Sequence, residues 1–226
     1  MGIKGSVGKR LAPKITEMAP GLTTGFVREA LTRAIDGAGP LPGARAAAER
    51  QLKAHGGDVD LAIHDVIETH VRLAGAQGFL TNIGGLVTAT VAIPANLAGL
   101  AVVQCRMIAA IAHLRGHDLA DPRVRNAVLV TLLGEESVEE MVKRKKLPAP
   151  PMAIATAPSH DPLLDAKISA EVASDLIARV AGKRLATTVG RRVPVVGGLV
   201  GAGADGFATW KVGRYADREL LPRSRR

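Results

Sequence analysis

Residues 73–105 read LAGAQGFLTNIGGLVTATVAIPANLAGLAVVQC, a run of 33 residues without a formally charged side chain. That length would permit a membrane span, which needs about 20 apolar residues. Residues 83–101, however, combine seven Ile, Leu or Val residues with three Gly, two Thr, one Pro and one Asn, and the polar groups among them would need partners in lipid. We therefore expect this segment to lie against lipid or deep in the core rather than to cross a bilayer.

Apolar residues elsewhere recur with helical spacing, and no useful length of chain alternates with a period of two. Residues 21–36 form one apolar stripe, and Ile63, Val66 and His70 belong to another that begins near residue 58. Because an interior proline breaks or kinks a helix, Pro94 predicts a division of the uncharged segment into two helices. We therefore predict an all-α fold: a single helical domain of about seven or eight helices with a central apolar, glycine-rich helical hairpin.

Two Asp-Pro pairs, Asp121-Pro122 and Asp161-Pro162, have the residues typical of a helix start. The first pair predicts a helix that continues to about Lys145. Residues 147–161 contain four prolines and no apolar stripe, which predicts an extended linker or hinge. We predict an N-terminal helical region at residues 1–56 and a helical core at residues 57–226. The proline-rich linker lies within the core.

The net charge of +9 is concentrated near the C-terminus, where residues 179–226 carry eleven Lys or Arg and three acidic residues. A basic surface attracts anionic partners, and here the charges bracket an apolar, glycine-rich segment. We therefore predict an anionic membrane lipid or a membrane protein as the partner. Nucleic acid is not expected, because aromatic residues, on which bases stack, make up only 2% of the chain. The candidate lipid contacts are Arg191, Arg192, Lys211 and Arg214.

A second candidate feature is a face of small residues at a spacing of four, formed by Gly198, Ala202 and Gly206. Such a face lets helix backbones approach closely, in membranes or in a soluble core. The sequence Gly-Gly-Leu-Val occurs both at residues 84–87 and at 197–200. We therefore predict that this face packs against another helix, at Gly84 and Gly85 of the hairpin.

The candidate metal ligands are His113 and His117, four residues apart, with Asp118 and Asp121 nearby. On one helix the two imidazoles would lie on the same side, which makes a metal-dependent hydrolase one alternative. No Glu follows the first His as in the HExxH zinc motif, and Gly116 predicts that the helix ends before the second. We therefore expect no metal, no cofactor and no catalytic residue.

The single cysteine, Cys105, excludes an intramolecular disulfide and fits a reducing compartment. Arg106 follows it, but no pattern in the sequence places a base nearby, so a nucleophilic role is not expected. Charged residues among the first seventeen interrupt any apolar signal core. The predicted location is the cytoplasm, peripherally on the inner face of the cell membrane.

Three segments together resemble the signature blocks of the EcsC family, named for the third product of an operon that also encodes an ABC-type transporter. They read GFLTNIGGLVTATVAIPANLAG, QCRMIAAIAHLRGHDLADPRVR and VPVVGGLVGAGADGFATWKVGRYA, and the similarity covers roughly residues 75–134 and 165–216. The resemblance implies a bacterial, largely helical, membrane-associated protein without an established enzymatic activity. The family has no agreed functional residues, so it assigns none to this chain.

Residues and resemblance together favour a non-enzymatic accessory protein of the cytoplasmic membrane face, linked to ABC-type transport or envelope maintenance. The expected mode of binding is that apolar glycine-rich helices enter the interface while the basic flanks hold headgroups. Two alternatives remain open: a soluble helical carrier of an apolar or acyl ligand, and the metal-dependent hydrolase. The lipid, the protein partner and the oligomeric state are not specified by the sequence.

Overall fold

The structure, a computed structural model, describes the backbone of residues 24–38, 41–83, 89–189 and 194–223, with side-chain surroundings for 24–37, 41–76, 99–179 and 203–223. These ranges contain nine helices and one two-stranded antiparallel sheet, so the predicted all-α fold is confirmed, with more helices than the seven or eight expected. The elements are α1 (Thr24–Asp36), β1 (Gly37–Ala38), β2 (Leu41–Pro42), α2 (Ala44–Ala54), α3 (Val59–Ile83), α4 (Ala89–Leu114), α5 (Pro122–Leu132), α6 (Glu135–Lys143), α7 (Pro151–Ala155), α8 (Pro162–Val189) and α9 (Pro194–Glu219).

Helices α3, α4 and α9 pack against one another, and α9 has its most extensive contact with α3. Arg115 at the end of α4 bonds both Asp60 at the start of α3 and Asp217 near the end of α9. Farther along the bundle, Arg106 of α4 bonds His70 of α3. Helices α3 and α4 are therefore antiparallel, as expected for the two helices of the hairpin, and α9 runs parallel to α4.

The uncharged ends of α4 and α9 lie at the same level of the bundle. Gln104 of α4 bonds Thr209 of α9, and each helix begins fifteen residues before that contact, at Ala89 and at Pro194. The first turns of α4 and α9 therefore lie at the same end of the bundle, together with the last turns of α3.

One large apolar core joins most of the helices. Helix α5 lies at its centre and is buried from Asn126 to Leu132. Helices α1 and α2 contribute Val27, Leu31 and Ala48 to the same cluster. Residues before and after the predicted boundary between the two regions, at residues 56 and 57, therefore belong to the same apolar core. The boundary itself stays a prediction.

The predicted break at Pro94 is wrong. Helix α4 begins at Ala89 in the described range, includes Pro94 and continues to Leu114. A proline inside a helix removes one backbone hydrogen bond and its ring crowds the carbonyl of residue i−4, so it kinks a helix more readily than it ends one when the flanking residues are helical. The seventeen uncharged residues from Ala89 to Cys105 consequently belong to one continuous helix.

The helix predicted from Asp121 to about Lys145 is divided into α5 and α6. Asp121 caps α5 as expected, and its carboxylate accepts from the backbone N–H of Arg123. Gly134 then adopts a φ of +84°, a conformation that glycine adopts without steric cost. The chain turns there, and α6 starts at Glu135.

The proline-rich segment at 147–161 is not extended throughout. It contains the short helix α7, which begins with Pro151 at a position where a proline is tolerated. Leu147, Ile154 and Ala155 are buried in the main core. This part of the predicted linker is therefore packed against the rest of the protein.

Candidate functional site

Helix α9 has two faces of opposite character. Its inner face, which is buried against α3 and α4, includes Asp205, Gly206, Thr209, Val212, Gly213 and Ala216. Its outer face is exposed and follows one helical stripe; it consists of Gly203, Ala204, Phe207, Trp210, Lys211, Arg214 and Arg218. The first half of the outer face is apolar and the second half is basic.

The apolar half of the outer face carries a stacked aromatic pair. Phe207 and Trp210 are 63% and 47% exposed, and their ring centroids lie 5.9 Å apart with an interplanar angle of 17°. Large aromatic side chains bury most of their surface in ordinary cores. The sequence-based prediction missed this pair; the signal for it was the i, i+3 spacing of the two aromatic residues, which places both on one side of a helix.

Two predicted lipid contacts, Lys211 and Arg214, belong to the basic half of the outer face. The Lys211 ammonium lies 3.1 Å from the Glu136 carboxylate of α6, and the Arg214 guanidinium lies 3.3 Å from Asp217. Lys211, Arg214 and Glu136 are all exposed, and exposed ion pairs contribute about 0–1 kcal/mol. The two cations therefore remain accessible to anions from solution.

The other predicted contacts are only partly within the described ranges. Gly206 is buried on the inner face, where an added Cβ would lie 3.7 Å from Val71 of α3. That is an ordinary van der Waals distance. The backbone of α9 includes Gly198 and Ala202, whose surroundings lie outside the described residues, and Gly84, Gly85, Arg191 and Arg192 lie outside them altogether.

Among the glycines of α9 whose surroundings the structure describes, Gly213 has the closest neighbours, and the predicted small-residue face does not include it. An added Cβ there would lie 3.0 Å from both γ-carbons of Ile67 and 3.1 Å from the sulfur of Met107. Few real side chains pack at such distances, so α3, α4 and α9 are in close contact around this glycine. Which residues of α3 face Gly213 depends on how the two helices are aligned along their axes. The spacing of residues within α9 does not reveal that alignment.

A layer of buried polar side chains crosses the bundle behind the inner face of α9. Gln104 donates to the hydroxyl of Thr209 at 3.0 Å. Arg106 donates to the Pro42 carbonyl at 2.7 Å and to Nε2 of His70 at 3.2 Å. Because buried polar groups are costly unless they are bonded, this layer fixes how the three helices face one another.

His70 is a neutral member of this layer. Its Nε2 accepts from Arg106, so its Nδ1–H donates to the Val66 carbonyl at 2.6 Å. Burial lowers the pKa of His70 to about 4, the carbonyl of Val66 opposes the shift, and the Arg106 charge adds to it. The side chain is therefore uncharged at neutral pH.

The polar layer marks a boundary in formal charge. No residue of α3 after Arg72, of α4 before Arg106, or of α9 before Asp205 carries a formal charge. Because these helix ends lie together, three separate stretches form one uncharged end of the bundle. At 1.5 Å per residue, these stretches of 11 to 17 residues extend about 16 to 26 Å from the boundary.

No helix within the described ranges meets the length and apolarity needed to cross a membrane.

The four candidate metal ligands have other partners. Helix α4 ends as predicted before His117: Gly116 has a φ of +84° and the last turn is closed by a bond from the His117 N–H to the Ala112 carbonyl. His117 Nε2 also donates to the Leu221 carbonyl, and Asp121 caps α5. His113 lies 3.5 Å from Glu49, and Asp118 accepts from the Ala120 N–H. Among the described residues, no group of three His, Cys, Asp or Glu is placed to hold a metal ion.

Cys105 lies in the core at 1% exposure. Burial raises the pKa of its thiol to about 12, so the thiolate is scarcely populated at neutral pH. The thiolate is the nucleophilic form of cysteine. The surroundings of Cys105 are those of a packed apolar side chain.

A polar cluster that sequence reasoning did not predict joins α1, α5 and α8. Arg28 donates to Ser169 and Asn126, and it lies 3.8 Å from the carboxylate of Asp165. Asn126 and His160 both donate to that carboxylate. Burial alone would raise the pKa of Asp165, but these two bonds and the Arg28 charge outweigh it and lower the pKa. Because the members bond one another, the cluster holds three helices together.

Comparison with known families identifies the chain. The sequence model of the EcsC protein family matches residues 10–223, nearly the whole chain, so this protein belongs to the EcsC family. The match extends the resemblance inferred from the sequence to the N-terminal helices and the proline-rich segment. No curated protein and no solved structure was found to match the chain.

Proposed function

We propose that this EcsC family member is a non-enzymatic accessory protein that associates peripherally with the inner face of the cell membrane, with a role in ABC-type transport or envelope maintenance. The observation that carries the proposal is the outer face of α9. An exposed aromatic pair there adjoins Lys211 and Arg214, on a helix whose preceding segment is uncharged and follows Arg191 and Arg192 in the chain.

The apolar contribution of this surface corresponds to reversible attachment. Aromatic side chains bury about 150–250 Å² each, and roughly half of that area is free on Phe207 and on Trp210. At about 25 cal/mol per Å², transfer of this area from water contributes about 5 kcal/mol. A single acyl chain with an association constant of about 10⁴ M⁻¹ provides a similar, marginal anchor. A second contribution is therefore needed for stable binding.

The basic residues supply that contribution. Each Lys or Arg near an anionic surface adds about 1 kcal/mol, which is comparable with the exposed ion pairs that Lys211 and Arg214 make in the free protein. Exchange of a carboxylate partner for a lipid phosphate therefore costs little. This combination of an apolar surface and exchangeable cations supports peripheral binding that depends on both lipid charge and salt.

The proposal is tested by co-flotation of the purified full-length protein with vesicles. We expect binding to phosphatidylcholine vesicles that contain phosphatidylglycerol, weaker binding to phosphatidylcholine alone, and a decrease as salt screens the charges. In cells, carbonate at high pH should release a large part of the protein from membranes. Retention in the carbonate pellet would instead favour true insertion.

A variant with glutamine at Arg191, Arg192, Lys211 and Arg214 should lose most of its binding to anionic vesicles and keep its helical content. A matched control changes four exposed cations outside α9 to glutamine: Arg33, Arg72, Lys143 and Arg144, each of which forms an i, i+4 ion pair. Both variants have the same net charge. If both lose binding equally, overall charge rather than the α9 surface attracts the membrane, and equal binding of the wild type to neutral and anionic vesicles would favour a carrier.

The carrier alternative has no specific support among the described residues. One pocket lies between residues 118–123 and 158–160, and it is open and lined mainly by polar side chains, including Asp118, Asp121 and His160. Sites for apolar ligands are usually enclosed and lined by apolar side chains. The α9 surface therefore supports the membrane proposal better than this pocket supports a carrier.

A further inference from the structure

We propose that α9 docks side-on to an anionic bilayer, with its axis in the membrane plane and with Phe207 and Trp210 inserted at the boundary between headgroups and acyl chains. The inference rests on the proposed function and deepens it, because it specifies which face of which helix contacts lipid and how deeply. It follows from the pattern of exposure on α9, from the positions of the charges along the helix and from the place of the single tryptophan.

The first step is that the apolar half of the outer face is a coherent surface. Within the described ranges, Phe207 and Trp210 are the aromatic side chains that are left exposed, and they stack on each other. Gly203 and Ala204 precede them on the same exposed side, and an added Cβ at Gly203 would meet nothing within 4 Å. The aromatic pair therefore stands above a low, open surface formed by small residues.

The second step concerns orientation. Cations precede and follow the apolar half of the outer face in the sequence, with Arg191 and Arg192 before it and Lys211 after Trp210; Asp205, which lies between them, is buried on the inner face. In a side-on orientation both groups of cations reach the headgroup layer while the apolar stripe points into lipid, as in interfacial amphipathic helices. In an end-on orientation the arginine pair would go deepest, where each charge costs about 2.5–3.5 kcal/mol on an insertion scale. The charge pattern therefore favours the side-on orientation.

The third step concerns the occupant. Tryptophan is enriched at membrane interfaces because its ring is apolar and its N–H is polar. Trp210 lies one residue before Lys211, where the charge-free part of the outer face ends. A protein partner would more typically engage such aromatics in a tightly packed pocket, whereas a bilayer requires only an apolar surface beside cations. We therefore assign an anionic lipid bilayer as the occupant.

Trp210 provides the experiment, because it is the only tryptophan in the chain. Emission of the wild-type protein is recorded with vesicles of phosphatidylcholine and phosphatidylglycerol that carry a quencher either near the headgroup or deep in the acyl chain. We expect a blue shift on binding and stronger quenching by the shallow label. Co-flotation is measured on the same samples, so that binding and depth are determined separately.

Two variants of the tryptophan-free protein W210F extend the test. Trp introduced by F207W should be quenched with the same depth preference as Trp210, because a side-on helix holds both positions at similar depth. Trp introduced by L163W is the control: Leu163 is 83% exposed at the start of α8, and its replacement should bind vesicles without quenching. Greater quenching of F207W by the deep label than by the shallow label would overturn the side-on orientation.

A binding variant completes the design. The change F207S removes an exposed ring, half of the apolar contribution of the pair, and should weaken binding to anionic vesicles about 70-fold while the far-ultraviolet spectrum is unchanged. Wild-type co-flotation without any change in Trp210 emission would overturn this inference and leave the proposed function standing with another contact face. Unchanged vesicle binding by F207S would also overturn it and favour a protein partner for the aromatic pair. Failure of the wild type to float would reject the proposed function itself.

Discussion

The inner and outer faces of α9 have the same backbone and neighbouring positions in the sequence, yet they follow different constraints. On the inner face, Gly213 is confined by Ile67 and Met107, and Thr209 is bonded to Gln104. On the outer face, an added Cβ at Gly203 would meet no atom, and Phe207 extends into solvent. The difference shows that a glycine-rich helix can contain glycines in close contact with neighbouring helices and also glycines that lie on an open surface.

A large effect is expected from G213L on the inner face. An added Cβ at residue 213 is already too close to three atoms of α3 and α4, and a leucine would force the helices apart. Overpacking typically costs 1–3 kcal/mol, occasionally more, so we expect a loss of about 3 kcal/mol in the free energy of unfolding. In a chain of this size each kcal/mol lowers the melting temperature by about 2–4 °C. Thermal unfolding followed by circular dichroism measures the shift.

The matched control for this prediction is G203L on the outer face of the same helix. Leucine has the better helix propensity by almost 1 kcal/mol, and nothing lies near its Cβ, so the melting temperature should not fall. Similar losses for G213L and G203L would show that the two faces are not distinguished by packing.

The second prediction concerns the pH dependence of the polar layer behind the inner face. The pKa of His70 is about 4 in the folded protein and about 6.5 in an unfolded chain. Its contribution to stability is therefore fully present above pH 6.5 and is lost as the pH falls toward 4, at about 1.4 kcal/mol per pH unit. At pH 5 the expected loss relative to pH 7 is about 2 kcal/mol.

Urea unfolding of the wild type and of H70Q at pH 7 and pH 5 measures this contribution. The other titrating groups are common to both proteins, so the difference between their pH dependences isolates residue 70. We expect H70Q to lose about 2 kcal/mol less than the wild type between the two pH values. Equal losses would mean that His70 can be protonated without unfolding, in spite of the neighbouring Arg106 guanidinium.

The third prediction concerns the bond between α4 and the inner face. The change T209V keeps the shape of the side chain but removes the acceptor for Gln104, both partners being almost fully buried. An unsatisfied buried donor costs about 1–3 kcal/mol, and we expect about 1.5 kcal/mol by chemical denaturation. The double variant Q104L/T209V should recover most of the loss, because removing both partners can be nearly neutral.

Thr156 provides the control for T209V. It is exposed, and its hydroxyl bonds the Met152 carbonyl within the last turn of α7. The change T156V should alter stability by less than about 0.5 kcal/mol. If T209V loses no more stability than T156V, the polar layer does not hold the helices together.

Much of the fold was predictable because it depends on local pattern. The helical periodicity and the uncharged run indicate an all-α protein with a central hairpin, and the Asp-Pro pairs mark the starts of α5 and α8. The break at Gly134 was missed, since the surrounding pattern is that of one continuous helix and a glycine alone does not specify a positive φ.

The candidate site was less predictable because it depends on how helices meet. Spacing within α9 identifies a face of small residues, but it does not show that Gly213 rather than Gly206 has the closest neighbours. Likewise, large aromatic residues are usually buried to a high degree, so the sequence gives no reason to place Phe207 and Trp210 in solvent. The packed side of α9 must be known before its free side can be recognised.

The smallest effect on stability is expected from F207A on the outer face. Phe207 is 63% exposed, and alanine has the better helix propensity, so we expect the free energy of unfolding to change by less than about 0.5 kcal/mol. The matched change on the packed side of α9 is Y215A, because Tyr215 is 6% exposed and belongs to the main core. Truncating a buried aromatic typically costs about 3–5 kcal/mol.

Vesicle binding should show the reverse order: F207A should bind weakly, whereas Y215A should bind normally at temperatures where it is folded. A large loss of stability in F207A would mean that the ring packs within the protein, and the outer face would then no longer be a free surface.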